Sequence, residues 1–154
     1  VTVLDPHASH PFECPGLTLL TPNRSEAFAL TGAYFQPGTV PLAEDKPLLN
    51  VASELMKRWQ TELLLITLGP HGMALFKDAS QAPEHIPTNA TEVFDVSGAG
   101  DTVTGTFVLG LLADGSPREA AMLANYAAGI VVRTVGTTPI SLEALQKALR
   151  DPHA

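Results

Sequence analysis

The run Leu63-Leu-Leu-Ile-Thr67 is apolar almost throughout and lies between polar flanks. A strand with apolar residues on both faces is covered from both sides, as in the centre of a mostly parallel sheet. Before it, Leu48 to about Trp59 sets Leu48, Val51, Ala52, Leu55 and Trp59 on one side of a helix. After it, Gly69-Pro-His-Gly72 reads as a turn. Met73 to Lys77 then returns as a strand, and residues 84–87 are placed to pair with it.

Further upstream, Val1-Thr-Val-Leu4 is a short β-branched strand stopped by Asp5-Pro6. Residues 6–16 form a proline-rich loop, and Leu17-Thr-Leu-Leu20 is a second strand. Thr21-Pro22-Asn23 opens a helix to about Leu30, closed by Gly32. Residues 33–47 read as an exposed loop. Downstream, Glu92-Val-Phe94 reads as a strand approach to a glycine-rich turn. A helix of small residues follows from about Gly98 to Ala113. Ser116-Pro117-Arg118-Glu119 is a capping box with proline at the first helical position, and its helix reaches about Arg133. Ser141 caps a last helix to about Leu149, and 151–154 is a tail. Strands alternating with helices predict an α/β layer fold, a mostly parallel sheet flanked by helices, with ligands beyond the carboxyl ends of the strands.

The composition bounds the function. At 154 residues the chain is the size of one compact domain. With 45% hydrophobic and 16% charged residues it is neither a disordered tail nor a charged coiled coil. A net charge of −7 argues against non-specific nucleic-acid binding. A phosphate ligand must then be held by backbone dipoles or a metal. Cys14 is the single cysteine, so no disulfide framework exists, and a reducing cytoplasm fits. No apolar run reaches the ~18 residues of a membrane span. His7 and His10 lack ligand partners at metal spacing, and Phe94, Phe107 and Trp59 read as core. The start at Val1 reads as a piece cut from a longer protein.

Four segments carry chemistry. In Asp95-Val-Ser-Gly-Ala-Gly-Asp101, the small residues Gly98, Ala99 and Gly100 stand at a helix start. A ligand can reach the backbone there, and the free N–H groups of the first turn favour an anion. Asp101 in that turn is either a helix-terminal charge or a general base toward an attacking hydroxyl. Asn23-Arg-Ser-Glu26 is either a capping box or an organiser of hydrated Mg²⁺. Thr67 and Gly69 end the central strand, where a hydroxyl and open backbone can meet nucleotide phosphates; Gly72 completes that turn. Asn125 is a polar residue among alanines, either a satisfied core amide or a ligand contact. Gly136-Thr137 is a further loop. Asp5, Asn23, Thr67 and the 98–101 turn each follow a predicted strand, so parallel strands would bring them to one sheet edge.

The order of these motifs resembles the carboxyl-terminal half of a ribokinase-like, PfkB-type carbohydrate kinase. DVSGAGD at 95–101 is similar to the family's second signature, NRSE at 23–26 to its NxxE motif, and TLGPHG at 67–72 to its nucleotide-side loop. Ala124-Asn125 with Ala127-Ala128-Gly129 resembles the adenine-side helix. The phrases Leu20-Thr-Pro-Asn-Arg-Ser-Glu26, Glu92-Val-Phe-Asp-Val-Ser-Gly-Ala-Gly-Asp-Thr-Val103 and Val135-Gly-Thr137 resemble the heptose-7-phosphate kinase branch, although His7 stands where that branch tends to carry lysine.

The resemblance implies a ribokinase-like fold over 1–150 whose amino-terminal half and lid are missing. It implies Asp101 as base, the Gly98–Gly100 backbone as anion hole, and Asn23 with Glu26 organising Mg²⁺ and phosphate. Thr67, Gly69, Gly72, Asn125 and Gly136 would line the nucleotide, and Asp95 could meet substrate. The implied activity is ATP-dependent phosphorylation of a sugar or sugar phosphate, best heptose 7-phosphate to the 1,7-bisphosphate. The alternatives are another sugar, or a nucleotide-binding half-domain without turnover. The implied partners are ATP, a sugar phosphate, and a second copy or a complementary amino-terminal half, with no nucleic acid and no membrane. The isolated chain is expected to be inactive.

Overall fold

Among the described residues, two short strands open the chain, two α-helices lead to three more strands, and three α-helices close it. The computed structural model describes residues 1–7, 9, 12–38, 41–90 and 93–150. The expected tail at 151–154, together with His10 and Glu92, lies outside the described residues. The described residues divide into two compact units. One is Val1–Gly69 with Met73–His85; the other is Pro70–Gly72 with the residues from Ile86 on.

In the first unit, β1 (Val3–Leu4), β2 (Leu19–Leu20) and β3 (Leu63–Thr67) run parallel, with Val3 opposite Leu19 and Leu19 opposite Leu63. β4 (Met73–Phe76) returns antiparallel on the far side of β3, with Leu65 opposite Leu75, and β5 (Glu84–Ile86) follows at the edge. Leu63, Leu64, Leu65 and Ile66 are all buried, so both faces of β3 are covered as its unbroken apolar run predicts. Helices α1 (Arg24–Thr31) and α2 (Lys46–Trp59) pack on each other and on β3. The predicted face of α2 (Leu48, Val51, Ala52, Leu55 and Trp59) forms the core with Phe28, Leu64 and Ile66. Each large side chain buried there stabilises by roughly 1.5–3 kcal/mol. Trp59 also needs a partner for its indole N–H, and donates to the Phe12 carbonyl at 3.0 Å.

The loop expected over 33–47 is shorter in the structure. A 3₁₀ turn spans Leu42–Glu44, Leu42 is buried, and α2 begins at Lys46 with Asp45 as its cap. Pro47 does not interrupt this helix because a first-turn residue has no intrahelical acceptor for its N–H.

In the second unit, α3 (Ala99–Leu112), α4 (Pro117–Val131) and α5 (Leu142–Arg150) follow one another. Helices α3 and α4 approach closely: a Cβ added to Gly110 would meet the Ala120 Cβ at 2.9 Å. Val103, Thr106 and Phe107 of α3 are buried, as are Ala120, Ala121, Ala124 and Ala127 of α4. The capping box at Ser116 and Glu119 forms as expected, and Ser141 caps α5 through the Ala144 amide.

Two expectations fail here. No strand precedes α3 at residues 93–97; the Phe94 and Asp95 amides instead donate to the Val132 carbonyl at the end of α4, at 2.8 and 3.2 Å. Phe94 is accordingly not core but 65% exposed, whereas Phe107 and Trp59 are fully buried.

Candidate active site

The two units each hold part of the predicted site. In the first, Asn23 stands between β2 and α1 and forms a parallel bridge with Thr67 at the end of β3. The Thr67 amide donates to the Pro22 carbonyl at 3.1 Å, which fixes the two chain segments side by side. Asn23, Glu26 and Thr67 are therefore brought together beyond the carboxyl ends of parallel strands, where α/β sheets bind ligands. Gly69 follows two residues on, in a left-handed conformation with no neighbour within 4 Å of its missing side chain.

The capping box of α1 is complete. The Glu26 amide donates to Asn23 Oδ1 at 2.9 Å, and the Asn23 amide donates to Glu26 Oε2 at 2.8 Å. Ser25 Oγ also donates to Asn23 Oδ1, at 2.7 Å. The cap does not exhaust Glu26, because one carboxylate oxygen suffices for it and the side chain is only half-buried. Among the described residues no three His, Cys, Asp or Glu side chains gather as an ion cage. The donors present are hard oxygens from few residues. They fit a cation that takes most of its ligands from water and phosphate, as Mg²⁺ does.

In the second unit, Gly98 caps α3 at φ +77°, and α3 starts at Ala99. The Ala99 amide closes a turn on the Val96 carbonyl, and Thr102 donates to the Gly98 carbonyl from both its amide and its hydroxyl. The amides of Gly100 and Asp101 have no acceptor among the described residues. They are the orphan donors of a first helical turn, and with the helix dipole they suit an anion. Asp101 is exposed in the same turn.

Asp95 accepts from the Ser97 amide at 2.9 Å through Oδ1 and from the Gly136 amide at 2.9 Å through Oδ2. The Ser97 hydrogen bonds, then that of Gly136, hold its carboxyl below the ordinary carboxylate range. Both oxygens thus serve to fasten the 95–97 turn to the Gly136 loop. Thr137 lies against Gly98: a Cβ there would meet Thr137 Cγ2 at 3.1 Å.

Gly72 and Asn125 meet the same backbone segment. Asn125 is buried on α4 and donates through Nδ2 to the Pro87 carbonyl at 2.7 Å. Gly72 lies at φ +82° directly against Ile86, Pro87 and Thr88. Sequence reading missed the 86–88 segment as the common partner of these residues. Its only signal is Pro87-Thr88 just after a short strand.

These features define an α/β protein with an anion-suited helix start and a hard-oxygen corner beyond parallel strands. Solved ribokinases show the same architecture. The ribokinase of Thermotoga maritima aligns with a TM-score of 0.73 over 88% of this chain and 43% of its own, at 24% identity. The Arabidopsis thaliana ribokinase solved with ribose and ATP aligns at 0.73 over 87% and 41%, at 27% identity. The fold is ribokinase-like. The sequence profile described as pfkB family carbohydrate kinase matches residues 10–145, and the chain belongs to that family. The bifunctional protein HldE of Pelobacter propionicus is 41% identical over 152 residues, 99% of this chain. The chain spans about 30% of the length of the curated relatives it matches. No helix among the described residues is long and apolar enough to cross a membrane.

Proposed function

We propose that this chain supplies the nucleotide site and the catalytic base of an ATP-dependent sugar-phosphate kinase, with heptose 7-phosphate as acceptor and the 1,7-bisphosphate as product. The observation that carries the reading is the start of α3, where the Gly100 and Asp101 amides, without an acceptor among the described residues, share one helical turn with an exposed carboxylate. Family membership and the relatedness to HldE support it. The heptose rests on the Leu20–Glu26, Glu92–Val103 and Val135–Thr137 phrases.

In this reading the Gly98–Gly100 backbone receives the charge on the transferring phosphoryl group. Asp101 accepts the proton of the acceptor hydroxyl as its oxygen bonds to the γ-phosphorus. The bond from that phosphorus to the bridging oxygen breaks, and ADP leaves. Thr67, Gly69, Gly72, Gly136 and Asn125 belong to the nucleotide side. Asn125 also fixes Pro87 there, through one of the two N–H donors of its Nδ2. Asn23 and Glu26 would hold Mg²⁺, which when bound neutralises phosphate charge. This reading draws no acceptor pocket from the residues named here; the chain covers 41–43% of the ribokinase chains it aligns with. A cytoplasmic setting, where ATP is supplied, goes with this reading.

The test is Asp101→Asn in the full-length protein. It keeps the shape and removes the proton acceptor, so turnover should fall by about 10²–10⁴ with nucleotide affinity held. A variant with parental turnover would reject the base.

A further inference from the structure

Arg24 occupies an unusual place for an arginine. It is the first residue of α1, next to Asn23, where a long side chain ordinarily trails into solvent. Here its side chain is only 11% exposed. Its guanidinium donates to four acceptor atoms on three residues. Nη1 reaches Asp45 Oδ2 at 2.7 Å and Nη2 reaches Asp45 Oδ1 at 3.2 Å, while Nε donates to the Gln36 carbonyl at 3.0 Å and Nη2 also to the Pro37 carbonyl at 3.3 Å. The guanidinium also lies over the Phe28 ring, 5.1 Å from its centre. Asp45 is 1% exposed, and its Oδ1 caps α2 through the Leu48 amide at 3.1 Å.

One side chain therefore ties the start of α1, the 36–37 segment and the start of α2. A lysine cannot do this, because it lacks the planar fork that meets a carboxylate with two parallel bonds. A buried pair of this kind is a weak source of net stability compared with a packed apolar pair, and its best-attested use is to select one arrangement.

What it selects lies next door. The backbone of Asn23 is held on one side by the bridge to Thr67. Arg24 ties the following residue to Asp45, the cap of α2. Glu26 lies in the same first turn and bonds back to Asn23. We infer that Arg24, locked by Asp45, is a positioning residue that sets the first turn of α1 so that Asn23 and Glu26 face the end of β3 in one fixed orientation. The inference deepens the reading of Asn23 and Glu26 as the magnesium corner and rests on it for its functional consequence. Its structural content stands apart.

The test uses the full-length protein carrying Arg24→Lys, with Arg24→Met as the harsher form. Backbone hydrogen exchange reads the amides of Glu26 and Thr67, which bond to Asn23 Oδ1 and the Pro22 carbonyl. Loss of a charge-assisted hydrogen bond should open that turn and raise their exchange at least about tenfold. Amides in the centre of α2 and at Leu65 in β3 should keep their parental rates. Acceleration spread equally over all of these amides would make the pair a global stabiliser and overturn the inference. Unchanged rates at Glu26 and Thr67 would overturn it too. Should Arg24→Met fail to fold, Arg24→Lys still decides, since it keeps the charge and the stem.

The kinase assay adds a second reading. Half-saturation by Mg²⁺ should rise several-fold in Arg24→Lys, with kcat near the parent's at saturating Mg²⁺. Localised exchange with an unchanged Mg²⁺ titration would uphold the positioning role and reject the magnesium role of Glu26. The two failures are thereby distinguished.

Discussion

Replacing Gly72 by alanine tests how tightly the nucleotide-side turn is built. The added Cβ would stand 2.0 Å from the Ile86 carbonyl oxygen, 2.6 Å from the Thr88 nitrogen and 2.8 Å from the Pro87 carbonyl carbon. All three are backbone atoms, so no rotamer change relieves the clash. The 86–88 segment must move by about an ångström, and overpacking of that kind costs about 1–3 kcal/mol. Gly72 also sits at φ +82°, where an L-residue is disfavoured by about 1–2 kcal/mol. Moving Pro87 further strains its 2.7 Å bond from the buried Asn125 amide. A buried donor left unpaired costs about 1–3 kcal/mol more.

Together these predict a loss of about 3–8 kcal/mol, a large part of the ~5–15 kcal/mol that holds a domain folded. Gly69→Ala is the control. Gly69 is also left-handed, at φ +59°, but nothing stands within 4 Å of its missing side chain. Its replacement should cost only the backbone penalty, about 1–2 kcal/mol. Urea unfolding of both variants against the parent reads the difference as a shift in midpoint at constant slope. Equal midpoints for the two variants would refute the argument, because it rests on the backbone clash that Gly72 has and Gly69 lacks.

The other predictions are shorter. Glu26→Gln should keep the stability of the parent, since glutamine serves equally in a capping box, but should raise the Mg²⁺ requirement of turnover; an identical titration would reject the metal role. Asp95 has a lowered carboxyl pKa because the Ser97 and Gly136 hydrogen bonds favour its charged form. The stability it contributes is therefore present above the ordinary carboxylate value of about 3.9 and lost as pH falls through the lowered folded value. Thermal melts of Asp95→Asn should fall below the parent at neutral pH and converge with it in acid; a gap that widens in acid would contradict the sign. Leu109 and Leu112 on α3 are 66% and 62% exposed. Residues 1–154 alone should self-associate in light scattering, and Leu109→Lys with Leu112→Lys should reduce that; unchanged particle size would show that this face is not responsible.

What could be read from the sequence by itself was what local chemistry decides. Asn23 and Glu26, or Ser116 and Glu119, are three residues apart and close the same reciprocal bonds wherever a helix begins behind them. Gly32 ends α1 because its left-handed φ of 70° suits glycine. The apolar run at Leu63–Thr67 announced a strand covered on both faces, and the small residues at 98–100 announced a helix start.

The tertiary structure decided which distant segments meet, since such choices depend on contacts that no short window contains. Sequence pattern placed residues 92–94 as a strand approach, yet the Phe94 and Asp95 amides bond to Val132 and leave Phe94 exposed. The capping role of Asp45 lay inside an expected loop. Its partner Arg24 stands 21 residues away, and nothing near either residue signals the pair. Gly72 and Asn125 lie far apart in the sequence, and only the fold sets both against Ile86–Thr88. Capping and helix-start signals act within a turn of the chain, and so they survive reading in one dimension. A guanidinium, a buried amide or a side-chain-free glycine takes its role from whatever the fold brings within about 3 Å of it, the reach of a hydrogen bond.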